Sequence, residues 1–451
     1  MPKHIKIRKG LNINLAGEAE KVVSDFALPE TFAIKPPDFI GVTPKLLVKQ
    51  GDEVEAGTPI FYDKNNEGVK FCSPVSGEVI EVMRGDKRKI LEIKILADKE
   101  IIYMPFEKAD LQNQDRDDVM KTLLNSGAWP FIRQRPYGII ANPDQIPKAI
   151  FISAFDTSPL APDYDFIMQG QDMDFQTGID ALQKLTDGKI YLNLNGAKEQ
   201  APVFTKAKGV DINYFSGPHP AGNAGVHIHH LNPVNKGETV WCINPQDVLI
   251  IGRLFNHGKF DASRMVALTG SHITSPQYYK TLVGSAVSHI IEDGGIKDGI
   301  NRIISGNVLS GHQIEQTGYM NFFDDQLTII PEGNEPEFMG WLAPGLKKFS
   351  ASRTFFSWIT PTKKYFVDTN LHGEERPFVV SGEYEKVFPM DIYPVQLLKA
   401  IMIEDLELME NLGIYEVVEE DFALCEFICT SKIPSQSIIR HGLELARKEF
   451  S

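Results

Sequence analysis

The sequence predicts a multidomain α+β protein with a biotinyl/lipoyl-like β barrel, a Rossmann-like α/β sheet, a β-grasp module and a C-terminal helical domain. Three observations lead to this prediction. The chain has 451 residues, 42% of them apolar, which is too long for a single hydrophobic core. Short strands joined by glycine-centred turns fill its first part. After them, apolar strands alternate with helical patterns.

The barrel is assigned to residues 1–105. Its signature is a run of short strands and glycine turns, LVKQGDEVEAGTPIFYDKNNEGVKFCSPVSGEVIEV, from Leu47 to Val82. Within it, Val69 and Phe71 alternate with polar neighbours, and Gly77 opens a further strand. This pattern is typical of lipoyl and biotinyl carrier domains, and it predicts a small, flattened barrel.

Carrier domains of this kind acylate a lysine at an exposed hairpin tip, and Lys64 is the candidate here. The run from Lys64 to Pro74 is longer than the usual carrier spacing, and the four residues from Asn65 to Gly68 predict a wide, flexible loop. Most lysines are exposed and unmodified. We therefore interpret Lys64 as an ordinary surface lysine and the barrel as a scaffold.

Residues 106–258 are assigned to the Rossmann-like α/β domain. A helical pattern ends at Gly127, after which strand and helix patterns alternate. The segments that carry this alternation are AIFISAF (149–155), KIYLNLN (189–195), TVWCI (239–243) and DVLIIGRLF (247–255). A continuous apolar run such as the first is expected for a strand that is covered on both faces.

Residues 259–332 are assigned to a β-grasp module of the SLBB-like type. Its predicted elements are a strand in RMVALTG, a second strand with a turn in TSPQYYKTLVG, a short helix in VSHIIEDGG and a closing strand in NRIISGNVLSG.

The C-terminal helical domain is assigned to residues 333–451. After an irregular aromatic stretch, a helix is predicted that ends at Gly413 and presents one apolar face, and a second helix is predicted near the end of the chain. The two apolar stripes are Leu398, Met402, Leu406 and Met409, and then Ile439, Leu443, Ala446 and Phe450.

Composition excludes several classes of function. There are 46 basic and 60 acidic residues and a formal net charge of −14, which argues against a general nucleic-acid binder. No run approaches the roughly 18 apolar residues that span a bilayer, and the N-terminus lacks the apolar centre of a signal peptide. Four scattered cysteines do not form a disulfide framework. We therefore expect a cytoplasmic protein with no transmembrane helix.

The loop LLNSGAWPFIRQRPYGII, from Leu123 to Ile140, lies between a predicted helix and the first strand of the α/β sheet. A dinucleotide-binding sheet would carry a glycine-rich phosphate loop here. Close approach of backbone amides to a pyrophosphate needs residues without a Cβ, whereas this loop has bulky side chains and two prolines. The strand end, from Phe155 to Leu160, also lacks the G-x-G-x-x-G pattern. Nucleotide binding at this sheet is not expected.

What remains in the loop is a rim of aromatic side chains beside two guanidinium groups, which suits a flat ligand with carbonyl oxygens, such as a quinone. We hypothesise that Trp129, Phe131 and Tyr137 form apolar walls, and that Arg133 and Arg135 donate hydrogen bonds to the quinone oxygens. The alternative is that this aromatic, arginine-rich turn packs domains together. No residue is expected to be catalytic.

The chain resembles the NqrA family, a subunit family of the sodium-translocating NADH:quinone reductases, from end to end. The motifs that carry the resemblance are KIRKGLNINLAGEAE, SPVSGEV, RGDKRKIL, LLNSGAWPFIRQRP, AIFISAFDTSPLAPD, FSGPHPAGNAGVHIHHLNPV, TVWCINPQDVLIIGRLF, RIISGNVLSG, VDTNLHGEERPFVVSGEYEKVFPMDIYP and EEDFALCEFICTSK. Because so many long motifs occur in order, chance is not a reasonable explanation.

The resemblance implies a peripheral protein on the cytoplasmic side of the bacterial inner membrane. The six-subunit complex passes electrons from NADH to quinone and exports sodium, and its membrane-embedded B subunit would be the chief partner. Family members hold no tightly bound redox cofactor. FMN, FAD, riboflavin and iron centres are expected in the partner subunits.

Two other families look similar, namely the C subunit of the ferredoxin-linked Rnf complex and the NADH-binding flavoprotein of respiratory complex I. In those relatives the segment that matches Gly127 to Tyr137 is glycine-rich and cradles flavin. The bulky residues of this chain are a departure from that pattern.

Two further clusters suggest metal sites. His219, His227, His229 and His230 crowd into one segment, and His227 with His229 would face one side of a strand. We favour a structural loop or subunit contact over a metal site. Cys425 and Cys429 have the spacing C-x₃-C, but a cluster needs four thiolates, so we interpret them as buried core residues or as a remnant of the clusters of the related Rnf protein.

Three functions compete at this point. The first is a subunit that shapes a quinone site and organises the complex. The second is a purely structural adapter without a ligand site. The third, a carrier acylated at Lys64, is disfavoured by the long remainder of the chain, which carriers do not need.

Overall fold

The computed structural model describes residues 2–108, 110–333, 337–340 and 342–450. Within these residues the strands are β1 Lys3–Lys6, β2 Val23–Ser24, β3 Thr31–Ile34, β4 Pro44–Leu46, β5 Glu53–Val54, β6 Pro59–Asp63, β7 Asn66–Cys72, β8 Gly77–Arg84, β9 Ile90–Ala97, β10 Arg133–Arg135, β11 Ile139–Ile140, β12 Ala149–Ser153, β13 Lys189–Asn195, β14 Asp211–Ser216, β15 Val240–Ile243, β16 Ser263–Thr269, β17 Tyr278–Leu282, β18 Asn301–Ser305, β19 His312–Ile314 and β20 Gln326–Pro331.

The α-helices of the same residues are α1 Arg116–Ser126, α2 Tyr164–Ile167, α3 Asp172–Gln183, α4 Pro202–Thr205, α5 Ala224–Leu231, α6 Pro245–His257, α7 Val287–Gly294, α8 Tyr384–Val387, α9 Pro394–Met402, α10 Leu406–Asn411, α11 Ala423–Ile428 and α12 Ser435–Phe450. Short 3-10 turns include Trp129–Phe131, Phe356–Ile359 and Glu419–Phe422.

The predicted barrel consists of two small antiparallel sheets, with strand orders β3-β9-β8-β5 and β4-β6-β7. Phe61 and Phe71 stack face to face in its core, with ring centroids 4.3 Å apart. Val79, Ile93 and Ile95, on β8 and β9, are fully buried in the same core. Buried residues alternate with more exposed ones at the start of β8, which gives its sheet one buried face.

The hairpin that carries Lys64 differs from the sequence prediction. The structure shows a two-residue turn, Lys64-Asn65, because β6 ends at Asp63 and β7 begins at Asn66. The wide loop expected over Asn65 to Gly68 is wrong, since the last three of those residues belong to β7. The Asp63 carboxylate accepts a hydrogen bond from the Asn65 amide at 3.1 Å, which stabilises the tight turn.

A seven-stranded sheet forms the α/β domain, in the order β1-β14-β13-β12-β15-β10-β11. Its five strands from β1 to β15 are parallel, whereas β10 and β11 form an antiparallel hairpin at one edge. Helices α3 and α6 pack against each other, and α5 packs on β12. This is the predicted Rossmann-like arrangement with an added antiparallel edge.

The β-grasp module contains a six-stranded sheet, in the order β19-β18-β20-β16-β17-β2, with α7 packed against β16. The predicted closing strand near Arg302 does not close the module. Two more strands follow, and β20 lies in the middle of the sheet, parallel to β16 and antiparallel to β18. The prediction had no strand at β20, although its first five residues are buried.

Residues 3–24 contribute to three other parts of the molecule. Strand β1 adds to the α/β sheet beside β14, and β2 adds to the β-grasp sheet beside β17. Between them, Ile13 and Leu15 are buried in the C-terminal core. The segment assigned to the barrel domain by its position in the chain therefore joins the modules to one another.

In the described part of residues 333–451, five helices, α8 to α12, surround a core that includes Leu398, Ile401 and Leu443. The single helix predicted to end at Gly413 is wrong, because α9 and α10 are separate. Between them, Glu404 has a φ of +55°, and the Asp405 side chain accepts a hydrogen bond from the Leu408 amide at 3.0 Å. The predicted stripe of the last helix is buried at Ile439, Leu443 and Ala446, and the side chain of Phe450 lies outside the described residues.

Candidate functional site

The loop from Leu123 to Ile140 forms an edge of the seven-stranded sheet. After α1 it makes the turn Trp129–Phe131 and then the β10–β11 hairpin, in which Arg133 lies opposite Cys242 of β15. Strand order reverses elsewhere, between β12 and β15, and ligands of open α/β sheets bind at such a reversal. The loop therefore differs in position from the strand-to-helix turn that carries phosphates in a Rossmann sheet.

Trp129 and Phe131 are fully buried. The Trp129 indole Nε1 donates a hydrogen bond to the Ala141 carbonyl oxygen at 2.8 Å, and its ring meets Trp241 edge-on, with centroids 5.4 Å apart. Phe131 stacks on Phe322, with centroids 4.6 Å apart. Both side chains pack the loop into the main hydrophobic core, so neither one lines an accessible surface.

Arg135 is buried in an ion-pair network with the C-terminal part of the chain. Its guanidinium donates to the Asp421 carboxylate at 2.6 Å, to the Glu420 carboxylate at 2.8 Å and to the Glu416 carbonyl oxygen at 3.0 Å. Burial alone would lower the pKa of Arg135, but the two carboxylates raise it above its usual range. The group therefore stays charged and engaged inside the protein.

Arg133 lies half-buried on the same hairpin. Its guanidinium carbon is 5.1 Å from the centroid of the Phe323 ring, which places the cation over an aromatic face. Tyr137 is also half-buried, and it has a positive φ of 78°. Arg440 holds the backbone there by donating two hydrogen bonds of 3.0 Å to the Tyr137 carbonyl oxygen.

A cleft of about 550 Å³ opens beside Tyr137. The barrel, the β10–β11 hairpin, the loop before β15 and the C-terminal helices all contribute to its wall. Its lining residues are Val42, Asp63, Asn65, Asn66, Val69, Gln134, Pro136, Tyr137, Ile139, Ile140, Ala141, Asn142, Asp144, Gln145, Lys236, Gly237, Glu238, Thr239, Tyr415 and Arg447. Of the five predicted quinone-binding residues, Tyr137 lies in this wall, whereas Trp129, Phe131, Arg133 and Arg135 do not.

An aromatic pair forms one side of the cleft. The rings of Tyr137 and Tyr415 meet edge to face, with centroids 6.3 Å apart and an interplanar angle of 81°. Sequence reasoning missed Tyr415 because it is 278 residues away, and no local pattern connects the two positions. The same is true of Val42 on the barrel. The sequence signal that reached this site was the loop from Leu123 to Ile140, in which Tyr137 was the named candidate.

Ion pairs lie along the rim of the cleft. The Lys236 ammonium contacts the Glu410 carboxylate at 2.7 Å, and Lys148 pairs with Glu238. These pairs connect the loop before β15 with the sheet on one side and with the C-terminal helices on the other.

The crevice where strand order reverses is filled by the chain's own polar side chains. The Tyr164 hydroxyl donates to the Asp325 carboxylate at 2.6 Å and accepts from the Asn244 amide at 2.6 Å. Asp156, just after β12, accepts hydrogen bonds from the Ser158 amide and hydroxyl. Burial raises the pKa of both Asp325 and Asp156.

A buried ion pair, Asp247 with Arg264 at 2.5 Å, lies next to this crevice. Burial raises the pKa of the Asp247 carboxyl to about 6, although Arg264 opposes the rise. Since Asp325 and Arg264 come from the β-grasp module, the crevice is a domain contact. Sequence reasoning did not foresee it.

The histidines belong to a helix and its preceding turn, so the predicted strand is wrong. His227 is fully buried, with its ring nitrogens bonded to Ser153 at 2.9 Å and to the Ala221 carbonyl oxygen at 2.8 Å. Burial lowers the pKa of His227 to about 3. His229 bonds Glu416 at 2.8 Å, and His219 bonds Thr157 at 3.1 Å. These contacts fit a structural role.

Cys425 and Cys429 are buried in the C-terminal core, and both thiols are free. Across residues 2–108, 110–333, 337–340 and 342–450, no three His, Cys, Asp or Glu side chains are grouped so as to hold a metal ion. In the same residues, no helix combines the length and apolar character that crossing a membrane requires.

Family models match three parts of the chain. They describe the NqrA N-terminal barrel-sandwich hybrid domain at residues 5–98, the NqrA second alpha/beta domain at 114–260 and the NQRA C-terminal domain, of SLBB type, at 265–316. A curated relative from Alcanivorax borkumensis, named as the A subunit of Na(+)-translocating NADH-quinone reductase, is 38% identical over 449 residues, covering 99% of this chain and 100% of the relative. The chain belongs to the NqrA family.

Other proteins of the same name have similar sequence identity and coverage. The one from Marinomonas sp. is 37% identical and covers 98% of this chain and 99% of its own length. That from Yersinia pestis bv. Antiqua is 38% identical, with 99% and 100% covered. Membership of the NqrA family, and the barrel, α/β and SLBB-like modules predicted from the sequence patterns, are therefore confirmed.

A solved structure with a weaker likeness is a NAD+-reducing [NiFe]-hydrogenase in the air-oxidized state. It is 10% identical, with a TM-score of 0.39, and the match covers 78% of this chain and 69% of that one.

Proposed function

We propose that this NqrA family member is a peripheral subunit on the cytoplasmic face of the Na+-translocating NADH:quinone reductase, where it helps to bind quinone and to organise the complex. Its main neighbour would be the membrane-embedded B subunit. The observation that carries the proposal is 37–38% sequence identity, over 98–99% of the chain, to proteins named as the A subunit of that reductase. Electrons would pass from NADH through FMN, FAD, riboflavin and iron centres of partner subunits.

The cleft beside Tyr137 is the proposed quinone site. Its volume of about 550 Å³ is in the range of pockets that bury small organic ligands. Val42, Ile139 and Ile140 supply apolar wall, and the Tyr137–Tyr415 pair supplies aromatic faces and edges. A flat ring enters such a wall by offset stacking or edge contacts.

Polar groups in the same wall suit the oxygens of a quinone. The side-chain amide of Asn142, which lines the cleft, carries two N–H donors. A quinone oxygen becomes more negative as electrons arrive, so donors placed around it stabilise the reduced form more than the oxidised form. The four other predicted residues, Trp129, Phe131, Arg133 and Arg135, would act by fixing the loop behind this wall.

We also propose that this chain holds no resident flavin or nicotinamide cofactor. A cofactor phosphate would need open backbone amides at the reversal of strand order. Tyr164, Asn244 and Asp325 occupy that crevice instead, bonded to one another. A buried carboxylate next to a phosphate would also be repulsive, so the residues present do not fit the group.

A structural adapter without a ligand site is the second candidate. The burial of Trp129, Phe131 and Arg135 favours it, because these side chains serve packing and an internal ion pair. The adapter would leave quinone binding entirely to partner subunits.

The two functions are separated by narrowing the cleft in the purified complex. Ile140→Trp adds bulk at the cleft wall, and Ile300→Trp adds the same bulk on an exposed surface of the β-grasp module. If quinone binds here, Ile140→Trp raises the KM for quinone about tenfold, equivalent to roughly 1.4 kcal/mol of binding, and Ile300→Trp does not. Equal KM values, with normal assembly and flavin content in both variants, would favour the adapter.

Labelling with a photoreactive quinone gives a second measurement. Crosslinks should map to the cleft wall around residues 136–142 and to Tyr415, and Ile140→Trp should weaken them. Crosslinks confined to other subunits would remove the proposed site from this chain.

A further inference from the structure

The segment from Leu342 to Phe366, here called the basic apolar segment, differs from the rest of the chain in charge. It contains Lys347, Lys348, Arg353, Lys363 and Lys364 and no acidic residue. The whole chain has a formal net charge of −14. One short stretch of an acidic protein is therefore strongly basic.

The segment is fixed to the body of the protein. Tyr365 is buried in the C-terminal core and exchanges backbone hydrogen bonds with the N-terminal arm, donating to Asn14 at 2.8 Å and accepting from Ala16 at 2.9 Å. Ser357 is buried, and its hydroxyl donates to the Lys348 carbonyl oxygen at 2.5 Å. Phe349 packs edge-on against Tyr365. The rest of the segment is displayed on this support.

What is displayed is apolar. Six large side chains are each at least 50% exposed, namely Leu342, Leu346, Phe356, Trp358, Ile359 and Phe366. Three of them belong to the single turn Phe356–Ile359, in which Ser357 points inward. Exposed apolar residues in such a cluster mark an interaction surface in soluble proteins.

The basic and apolar groups lie beside one another. The Arg353 guanidinium carbon is 5.9 Å from the centroid of the Trp358 ring. The Lys363 ammonium donates to the Leu346 carbonyl oxygen at 2.6 Å, and the Phe356 amide donates to the Pro344 carbonyl oxygen at 3.0 Å, so the two ends of the segment are adjacent. The surface thus combines aromatic and aliphatic groups with cations.

Two of the cations have carboxylate partners. Lys348 pairs with Glu337, and Lys364 contacts Glu18 at 3.2 Å with both side chains exposed. The exposed Lys364–Glu18 pair is weak, so Lys364 exchanges readily to other anions.

We infer that the basic apolar segment binds the surface of a lipid bilayer that contains anionic lipids. Trp and Phe side chains favour the boundary between headgroups and acyl chains, and Lys and Arg beside them contact anionic headgroups. The acidic remainder of the chain is repelled by the same bilayer, which selects this face. The inference goes beyond the proposed function, since it concerns the chain without its partner subunits and does not depend on quinone binding.

The test is sedimentation of the full chain with vesicles. Vesicles of phosphatidylcholine with phosphatidylglycerol should carry the protein down, vesicles of phosphatidylcholine alone should carry much less, and raised salt should weaken the binding. Each neutralised cation near the surface should cost about fivefold in the partition coefficient, following roughly 1 kcal/mol for a charge near the bilayer. The charge variant is Lys347→Gln with Arg353→Gln, and its matched control is Lys206→Gln with Lys208→Gln on an exposed surface elsewhere.

A second pair of variants tests the apolar contribution. Phe356→Ser with Ile359→Ser should weaken vesicle binding, whereas Met173→Ser with Ile300→Ser, at even more exposed apolar positions elsewhere, should not.

Tryptophan emission reports insertion of the segment directly. Trp129 and Trp241 are fully buried, and Trp341→Phe removes the fourth tryptophan of the chain, so Trp358 is the exposed reporter in that variant. Its emission should shift to the blue on anionic vesicles. The shift should be lost when Trp358→Phe is added.

Several outcomes would overturn the inference. They are equal binding to neutral and anionic vesicles, or segment variants that bind as well as their controls. Absence of vesicle binding, together with solvent protection of Trp358 in the detergent-solubilised complex, would assign the surface to a partner protein instead. None of these results bears on the cleft, so the proposed quinone site would stand or fall separately.

Discussion

Arg135 shows how a single side chain can be read in two ways from sequence. Its guanidinium suits a ligand carbonyl, but the folded chain surrounds it with Asp421, Glu420 and the Glu416 carbonyl oxygen. The Asp421 side chain is 1% exposed and that of Arg135 is 4% exposed. Removing one partner of such a pair leaves a charge in a low-dielectric interior without compensation.

We therefore expect Arg135→Met to lower the free energy of unfolding by about 3–5 kcal/mol. The measurement is denaturant unfolding followed by circular dichroism. As a control, Lys189→Met removes the exposed pair with Asp211 and should leave the unfolding midpoint nearly unchanged. The double variant Arg135→Met, Asp421→Leu should recover much of the loss. If the double variant were no more stable than Arg135→Met, an unpaired buried charge would not be the cause of the loss.

At the scale of elements, Gly127 lies where the end of α1 packs against the barrel. Gly127 ends α1 in the left-handed conformation with a φ of 81°. A Cβ at this position would lie 2.5 Å from the Cβ of Cys72 on β7. The glycine was predicted as a helix stop, and the structure adds a second reason for it, since it lets the helix end touch the barrel strand.

Gly127→Ala should therefore destabilise the protein by more than the cost of holding an alanine in the left-handed conformation, because its Cβ would also clash with Cys72. The matched control is Gly51→Ala, where φ is 88° and nothing lies within 4 Å of the added Cβ. The control should cost about 1–2 kcal/mol from backbone strain, and Gly127→Ala should cost clearly more. Urea unfolding of both variants gives the comparison. Equal losses would mean that the helix and the barrel can separate without cost.

At the scale of the whole molecule, the N-terminal arm links modules that are far apart in the chain. Lys3–Lys6 pairs with β14, and Val23–Ser24 pairs with β17. Leu15, between them, packs in the C-terminal core. The modules are thus not independent units along the chain.

Replacing residues 3–6 by a glycine-serine stretch should therefore destabilise only the strand that pairs with them, although this strand is far away along the chain. Amide hydrogen exchange should become roughly tenfold faster or more in Asp211–Ser216, which loses its neighbour, and stay unchanged in the barrel strand Gly77–Arg84. Replacing residues 23–24 should instead affect Tyr278–Leu282. If amide hydrogen exchange became faster throughout the protein in both variants, the arm would stabilise the fold as a whole.

The sequence by itself determined the family and most of the strands and helices of the α/β sheet. Apolar runs such as Ala149–Ser153 and Lys189–Asn195 form parallel strands, as expected, because a strand that is covered on both faces needs apolar side chains on both. Gly127 and Gly77 marked element ends because their backbone conformations disfavour other residues. The motifs of the NqrA family were readable without any structure.

Only the tertiary structure decided which side chains meet. It buried Trp129, Phe131 and Arg135, left Tyr137 at a cleft, and brought Tyr415 to it. It also placed residues 3–24 in two sheets and in the hydrophobic core of the C-terminal part. Local patterns set a residue's conformation and polarity, whereas its neighbours depend on contacts between distant parts of the chain, which no short window of sequence contains.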